Sequence, residues 1–356
     1  MANMSHSNVT LQEVNDAMAM LLLPAMVYVG VMMIVGFVGN VLVVYVFPMK
    51  LTISTQSVLI TSLAVFDLLS CIISMPTEIA DMRFFFMFES VFACKMLRCV
   101  NTFCAMCSIL TLLGIAVDRY RKVCCPHKKQ LGIKQMKFVI SFSILLSAAF
   151  SWPAIVLYGI RSADTGVEHL IGQDCSTSDA VKHTLYPLIY NGVLALLFII
   201  IAVVLCILYF LVWRTAKKHT ETTRSVSVGQ NTPSTGTTIE LSSADSEGSV
   251  PNKTGRSPSR SMTSRRRTNK TTTIAFMVTI VFILSFVPYL SLVIARSTVK
   301  DFDYKLDDVS TIFFNIFLRS YFVNSAANPV IYGVMNVRFR RECCKVLKSV
   351  FCCGRV

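Results

Sequence analysis

Polar side chains stand inside long apolar stretches of this chain, where they are costly to place. Asp67 is the most deeply placed ionisable residue. Neutral oxygen donors fall at comparable depth in other apolar stretches: Asn40, Ser108, Asn324, Ser325 and Asn328. A carboxylate among neutral oxygens suits a small hard cation. The spacing leaves an alternative equally open, in which a protonated Asp67 joins a hydrogen-bond network that only holds helices together.

A second polar motif, Asp118-Arg119-Tyr120, stands at the end of an apolar stretch. An adjacent carboxylate and guanidinium can pair in one helix arrangement and be released to a partner in another. The alternative is a pair that merely reaches toward the membrane surface, which is common at helix ends. Pro288 and Pro329 lie in the middle of two further apolar stretches, where proline removes a backbone hydrogen bond and favours a kink.

The elements that must position these residues are long and apolar. Of the 356 residues, 54% are hydrophobic and only 15% are charged, whereas soluble domains are about 25% charged. This composition excludes a disordered chain or a small disulfide scaffold, and it disfavours a soluble enzyme. Seven stretches have the length of a membrane-spanning helix rather than of a barrel strand: 17–49, 51–77, 99–117, 138–160, 183–213, 271–295 and 309–337. The predicted fold class is all-α, a seven-transmembrane helix bundle with a short amphipathic eighth helix.

The net charge of +14 is explained by topology. Most lysines and arginines lie in the loops after the first, third and fifth stretches and in the C-terminal tail. The positive-inside rule makes that side cytoplasmic. We therefore expect a multi-pass protein of the plasma membrane with its N-terminus outside, its C-terminus inside and no nucleic-acid partner.

The sequence divides the chain into five segments. Residues 1–20 form an extracellular tail with glycosylation sequons at Asn3 and Asn8. Residues 21–214 hold the first five spans. Residues 215–270, rich in Ser, Thr and Pro, are expected to be a disordered third cytoplasmic loop that is either a phosphorylated docking segment or a passive linker. Residues 271–335 hold the last two spans, and residues 336–356 form an amphipathic helix on the inner leaflet of the bilayer and a tail.

The cysteines separate by compartment. Cys94 and Cys175 are the two most clearly placed on the oxidising side, and a disulfide between them would hold an outer loop over the bundle. Cys343 and Cys344 accompany the amphipathic helix and are expected sites of palmitoylation, with free thiols as the alternative.

Taken together, the motifs resemble those of rhodopsin-like G-protein-coupled receptors. They are Gly39-Asn40, Leu63-Ala64-Val65-Phe66-Asp67, Cys94, Asp118-Arg119-Tyr120, Phe282, Pro288, Asn328-Pro329-Val330-Ile331-Tyr332 and Phe339. The resemblance covers all but the tails and the long inner loop. It implies a receptor without catalytic activity, which binds an extracellular ligand, activates heterotrimeric G proteins, and has receptor kinases and arrestin as further partners.

The resemblance also implies roles for single residues. Asp67, Ser108, Asn324, Ser325 and Asn328 match the family's sodium pocket, so sodium is the one ion expected and no other cofactor is implied. Arg119 matches the residue that meets the G protein, and Phe286 takes the place of the family's toggle tryptophan. The full set of implied switch residues is Asp118, Arg119, Tyr120, Tyr332, Ile109, Phe282, Phe286 and Pro288.

The absence of two residues that other branches of the family use for binding narrows the class of ligand. Asn101 stands where the family's amine receptors carry an aspartate, and Phe322 stands where opsins carry the retinal lysine, so amines are disfavoured and light detection is excluded. Polar residues of both charge signs remain in the outer half: Glu78, Arg98, Asn101, Tyr289, Arg296 and Asn315. Such a surface suits a peptide, and the chain resembles the neuropeptide branch most. The alternatives are a lipid or small-metabolite receptor, a transporter, and a surface on which some of these charges pair with one another.

Overall fold

Long apolar runs with few helix breakers fold into long helices, and the structure contains little else. It is a computed structural model that describes residues 9–229, 258–298 and 306–352. In chain order its helices are α1 (Leu11–Leu21), α2 (Leu23–Lys50), α3 (Thr55–Leu69), α4 (Met75–Arg83), α5 (Val91–Cys124), α6 (Ile133–Ser151), α7 (Pro153–Leu157), α8 (Tyr186–Gly229), α9 (Pro258–Thr298), α10 (Asp308–Leu318), α11 (Val323–Met335) and α12 (Val337–Cys352).

The described residues contain six helical segments that are long and apolar enough to cross a membrane without interruption. They are span one (Leu23–Lys50), span two (Thr55–Arg83), span three (Val91–Cys124), span four (Ile133–Leu157), span five (Tyr186–Lys217) and span six (Thr271–Ala295). Span seven consists of α10 and α11, joined by a 3₁₀ turn at Ser320–Phe322. The predicted all-α bundle is confirmed, and α12 follows it as the eighth helix.

Span two contains an irregular turn that the sequence analysis did not predict. Residues Ser70–Ser74 form a π-helical turn between α3 and α4. Pro76 lies two residues after this turn, and its missing N–H removes a donor from the regular α-helical pattern. The wider turn changes the direction in which the last part of span two presents its side chains. As a result, Glu78 lies inside the bundle with 2% of its surface exposed.

A β-hairpin covers one end of the bundle. Strands β1 (Tyr158–Asp164) and β2 (Ile171–Thr177) pair antiparallel, with Ile160 opposite Cys175. A disulfide joins Cys175 to Cys94 in span three, as predicted. We call this end of the bundle the hairpin end, and the opposite end, where Arg119 lies, the Arg119 end.

Spans one and seven pack closely because span one carries glycine at the contact. A Cβ atom on Gly39 would lie 2.5 Å from the Cβ of Pro329, so a larger residue does not fit without movement. Next to this contact, Asn40 donates hydrogen bonds of 2.8 Å to the carbonyl oxygens of Gly36 and Ser325. The polar side chain of Asn40 is thus used to join two helices.

The structure corrects one predicted segment description and adds a helix to another segment. Helix α8 continues to Gly229 and α9 begins at Pro258, so the described ends of segment 215–270 are helical rather than disordered. Thr215–Gly229 contains no proline, and Pro258 is tolerated in the first turn of a helix. The prediction for residues 230–257 lies outside the described residues. Likewise, the N-terminal tail contains α1, which begins with a capping box between Thr10 and Glu13.

Candidate ligand cavity, cation pocket and arginine switch

A buried acid of span two, at the hairpin end, has polar partners from spans three and seven. The carboxylate of Glu78 accepts a 2.8 Å hydrogen bond from Nε of Arg319 in span seven. It also accepts from the amide of Asn101 in span three at 3.0 Å and from the hydroxyl of Tyr321 at 3.4 Å. Nη1 of Arg98 lies 3.5 Å away. Glu78 therefore links spans two, three and seven.

Asp81 extends this group by one helical turn. Its carboxylate lies 3.4 Å from Nη2 of Arg319 and 3.7 Å from Nη2 of Arg98. Arg98 in turn donates a 2.8 Å hydrogen bond to the carbonyl oxygen of Cys175, which ties the network to the hairpin. We call Glu78, Asp81, Arg98 and Arg319 the ionic network. Its two acids and two arginines balance in charge.

Three members of the ionic network, Glu78, Arg98 and Arg319, form one wall of a cavity of about 390 Å³. The hairpin residues Tyr158 and Arg161 lie at its mouth, and the apolar residues Ile109, Phe198 and Phe282 lie at its deep end. This volume is typical of ligand sites. The cavity combines a charged but neutralised wall with an apolar floor.

The predicted ligand residues are only partly brought together. Glu78, Arg98, Asn101 and Tyr289 line the cavity. Asn315 does not line it: its side-chain oxygen instead accepts a 2.8 Å hydrogen bond from Nη1 of Arg319. The side chain of Arg296 lies outside the described residues.

Several cavity residues were missed by the sequence analysis. Phe198 stacks on Phe286 with ring centroids 5.1 Å apart, and the ring of Phe286 lies 4.7 Å from that of Phe282. Tyr321 connects this stack to Asn101 through a 3.2 Å hydrogen bond. Phe198 lies in the charge-free stretch 183–213, so no polar signal marked it.

Near the middle of the bundle, Asp67 is buried with neutral partners. Its two carboxylate oxygens accept hydrogen bonds of 2.8 Å from the hydroxyl of Ser325 and the amide of Asn328. Among the described residues, no lysine, arginine or histidine forms a salt bridge with it. Asp67 thus differs from Glu78, whose charge is compensated by arginine.

A cavity of about 20 Å³ adjoins Asp67, and Ser108, Asn324 and Ser325 line it. The side-chain oxygens of Asn324 and Asn328 are buried and have no hydrogen-bond partner. A carboxylate, hydroxyls and unpartnered amide oxygens are the donor set of a small hard cation, and the space is that of one water molecule or ion. The donor set therefore fits sodium. Asn328 contacts Asp67 but is not among the residues that line this cavity, and Asn40, at similar depth, does not line it either.

At the Arg119 end, Asp118 and Arg119 pair with each other and with residues of neighbouring spans. Nη2 of Arg119 pairs with the carboxylate of Asp118, and both side chains are almost fully buried. Nη1 of Arg119 donates a 3.0 Å hydrogen bond to Thr271 of span six. Asp118 also accepts from Thr55 of span two at 2.9 Å. Tyr120 is half-buried and lies outside this network.

The remaining predicted switch residues form the core between the cavity and Arg119. Ile109, Phe282 and Tyr332 are each at most 2% exposed. Tyr332 packs against Phe47 with ring centroids 5.8 Å apart. Near Pro288, the hydroxyl of Ser320 donates a 2.6 Å hydrogen bond to the carbonyl oxygen of Ser285, which joins spans six and seven where the proline interrupts the helix.

The cysteines of α12 differ in accessibility. Cys344 is exposed, whereas Cys343 is buried in the core together with Phe339. Burial raises the pKa of the Cys343 thiol to about 11. Of the two predicted palmitoylation sites, only Cys344 is therefore accessible in this arrangement. The predicted glycosylation sites Asn3 and Asn8 lie outside the described residues.

Seven spans, a disulfide at one end and a buried arginine motif at the other define a heptahelical membrane receptor. The sequence matches the family described as "7 transmembrane receptor (rhodopsin family)" over residues 39–332, and the chain belongs to that family. It is thus a multi-pass membrane protein of a receptor class.

Several receptors resemble this chain at low identity. Neuromedin-U receptor 2 of Rattus norvegicus is 24% identical over 89% of this chain and 73% of the relative. Neuropeptide FF receptor 1 of Rattus norvegicus is 26% identical over 88% of this chain and 68% of the relative. Nematocin receptor 2 of Caenorhabditis elegans is 29% identical over 55% of this chain. The match spans only half of that relative's length.

Proposed function

We propose that this receptor binds an extracellular peptide in the cavity at the hairpin end and activates heterotrimeric G proteins at the Arg119 end. The observation that carries the proposal is the depth of the cavity: it reaches Ile109 and Phe282, the core pair between the ligand site and Arg119. A bound ligand therefore contacts the residues whose packing has to change. The names of the three relatives given above, receptors for neuromedin U, neuropeptide FF and nematocin, support a peptide.

In this proposal, the contacts of Arg119 hold the receptor in its inactive arrangement. Its hydrogen bond to Thr271 holds span six against span three, and its pair with Asp118 occupies the guanidinium. Movement of span six away from span three breaks the first contact and exposes Arg119 to the G protein. A ligand that packs better against the moved arrangement of Ile109 and Phe282 shifts the population toward it.

The proposed orientation places the hairpin end outside the cell and the Arg119 end in the cytoplasm of a plasma-membrane receptor. The excess of lysine and arginine in the loops at the Arg119 end supports this orientation, as does the disulfide at the opposite end. Helix α12 then lies on the inner leaflet, where Cys344 is available for palmitoylation. Segment 215–270 and the tail are the proposed targets of receptor kinases and arrestin.

We further propose that a sodium ion occupies the cavity beside Asp67. Asp67, Ser108, Asn324, Ser325 and Asn328 would hold it, and its charge would compensate the buried carboxylate. The ion supports the closed packing of spans two, three and seven. Sodium and an activating ligand then oppose each other reciprocally.

A peptide screen with a paired variant tests the main proposal. Cells that express the receptor are exposed to a peptide library, with calcium and cyclic-nucleotide readouts, and the active peptide is then used for binding and nucleotide-exchange measurements. Arg119→Ala should retain peptide binding and lose exchange. Arg121→Ala is the matched control, because Arg121 lies at the same helix end and its side chain donates to the carbonyl oxygen of Lys129 at the surface.

Two outcomes would contradict this assignment. Unimpaired exchange in Arg119→Ala removes the proposed role of Arg119. A response only to lipids or small metabolites, with none to peptides, removes the peptide ligand.

A further inference from the structure

The carboxylate of Asp118 has two positively charged partners. Nη2 of Arg119 and Nζ of Lys122 both contact Oδ2 of Asp118, the lysine at 2.9 Å. Oδ1 accepts a 2.9 Å hydrogen bond from the hydroxyl of Thr55 in span two. Nζ of Lys122 also donates a 2.6 Å hydrogen bond to that hydroxyl. Among the described residues, two basic side chains thus pair with a single acid at this point.

The contacts of Lys122 do not involve span six. Lys122 lies one helical turn after Asp118 in span three, a spacing at which two side chains of one helix meet. Its other partner, Thr55, belongs to span two, which packs against span three. Arg119, by contrast, donates a hydrogen bond to Thr271 of span six. Movement of span six therefore removes a contact of Arg119 and leaves the contacts of Lys122 in place.

Without Lys122, departure of Arg119 would leave Asp118 as a buried charge that has no ionic partner. The side chains of Asp118 and Arg119 are 2% and 4% exposed, and removal of one partner from a buried pair is costly. With Lys122 present, Oδ2 keeps an ion pair and Oδ1 keeps its hydrogen bond from Thr55. The side chain of Lys122 is 28% exposed, so water weakens its attraction to Asp118 without removing it.

Lys122 also weakens the closed arrangement itself. While Arg119 is in place, two positive charges lie around one oxygen of Asp118, and their mutual repulsion offsets part of each attraction. This repulsion ends when Arg119 leaves. Both effects of the lysine favour the release of Arg119.

We propose, resting on the proposed G-protein coupling at the Arg119 end, that Lys122 is a positioning residue of the receptor switch. It keeps Asp118 paired when Arg119 turns toward the G protein, and it thereby lowers the cost of the open arrangement. A receptor that lacks this lysine is closed for a larger fraction of the time. Its apparent affinity for the G protein falls in proportion to the open fraction.

A double-mutant cycle on the full-length receptor in nanodiscs tests this inference without a ligand. Binding of one heterotrimeric G protein from each main class is measured after removal of nucleotide, and the one that the wild type binds most tightly is used. Lys122→Met should weaken this binding at least about fivefold, because a smaller fraction of the receptor is open. Lys122→Arg keeps the charge and should restore most of the affinity.

Asp118→Asn provides the second background of the cycle. It leaves no buried carboxylate behind when Arg119 departs, so in this background Lys122→Met should change the affinity less than about twofold. Lys128→Met is the matched control, because Lys128 is exposed at the same end of the bundle. It measures the general effect of one lost positive charge near the G protein, and that effect should be equal in both backgrounds.

Unfolding midpoints of all variants are measured in parallel, and Lys122→Gln takes the place of Lys122→Met if the latter does not fold. An equal loss of affinity from the lysine substitution in both backgrounds would show that Lys122 does not act through Asp118. That result would overturn the inference, as would unchanged or tighter binding in the wild-type background. In either case the receptor still binds a G protein and the proposed coupling stands. If the wild type binds no G protein of any class, the proposed coupling fails and the inference fails with it.

Discussion

Two buried acids in span two have opposite surroundings. Glu78 and Asp67 are both almost completely buried, at 2% and 1% exposed. Glu78 is compensated by Arg319 and Arg98, whereas Asp67 has only the neutral hydrogen-bond donors Ser325 and Asn328. A paired buried acid stabilises one arrangement of helices. An acid with neutral partners can bind a cation, so its interactions can depend on the cation concentration.

The difference teaches that burial alone does not define the role of an intramembrane carboxylate. Glu78 looks like a ligand-binding charge in the sequence, but its partners are arginines of the same protein. Its contribution is therefore to the shape and neutrality of the cavity wall. Among the described residues no basic side chain pairs with Asp67, and this is why the proposed sodium ion is placed beside it.

Removal of the Glu78 carboxylate is expected to have the largest effect. Glu78→Ala leaves Arg319 buried without its nearest acid, and loss of one partner of a buried pair costs about 3–5 kcal/mol. The thermal unfolding midpoint of the purified receptor in detergent should fall strongly, together with surface expression.

The double variant Glu78→Leu with Arg319→Met is the control for this prediction. It removes both charges and leaves Arg98 with Asp81, so most of the lost stability should return. An unchanged midpoint in Glu78→Ala would show that the ionic network does not hold spans two, three and seven together.

The packing that supports the Asp67 region can be tested at Gly39. A Cβ at Gly39 would meet the ring of Pro329, next to the Asp67 partner Asn328, with carbon–carbon distances of 2.5 and 2.7 Å. Gly39→Ala should therefore destabilise the receptor by about 1–3 kcal/mol. Gly30→Ala, in the same helix, is the matched control, because no atom of a neighbouring residue lies within 4 Å of the position that its methyl group would take. Equal unfolding midpoints of the two variants would contradict this packing.

Asp67→Asn should abolish the sodium response with little loss of stability. In the wild type, sodium should weaken binding of the activating peptide by about fivefold or more, because ion and ligand favour different arrangements. The variant lacks the charge that attracts the ion, so its peptide affinity should be the same in sodium and in a large organic cation. Persistence of the full sodium effect would exclude the ion from this cavity.

The sequence was sufficient for the features that depend on local pattern. Charge-free stretches predicted the spans, and compartment predicted the disulfide of Cys94 and Cys175. The partners of Glu78 were not predictable in this way. They come from spans three and seven, more than 200 residues away in the case of Arg319, and the π-helical turn before Pro76 changes the direction of Glu78.

Other parts of the site lacked a sequence signal. Phe198 is one apolar residue among many in span five, and only the bundle shows that it stacks on Phe286. The hairpin of β1 and β2 lies in the loop between Leu157 and Tyr186, and the disulfide joins it to span three. Asn315 was expected to face a ligand, but the nearby guanidinium of Arg319 binds it instead. Pairing between helices thus decided which polar residues remained free.

Asp179 is paired but exposed, in contrast to the buried acids Glu78 and Asp67. Its replacement should have the smallest effect on the unfolding midpoint. Its carboxylate accepts from Lys182 and from the N–H and hydroxyl of Ser162 on β1, and these contacts lower its pKa to about 2. The contribution to hairpin stability is therefore present above the usual aspartate pKa of about 3.9. It is lost as the pH falls toward about 2.

The wild type and Asp179→Asn should accordingly differ slightly in unfolding midpoint at pH 5, and the difference should shrink as the pH is lowered to 3. Added salt should reduce it as well, because water and ions reach this pair. The Glu78 effect should respond less to salt, since the side chains of Glu78 and Arg319 are only 2% and 4% exposed. The difference in unfolding midpoint between the wild type and Asp179→Asn could instead be independent of both pH and salt. Solvent exposure would then not distinguish the Asp179 ion pair from that of Glu78.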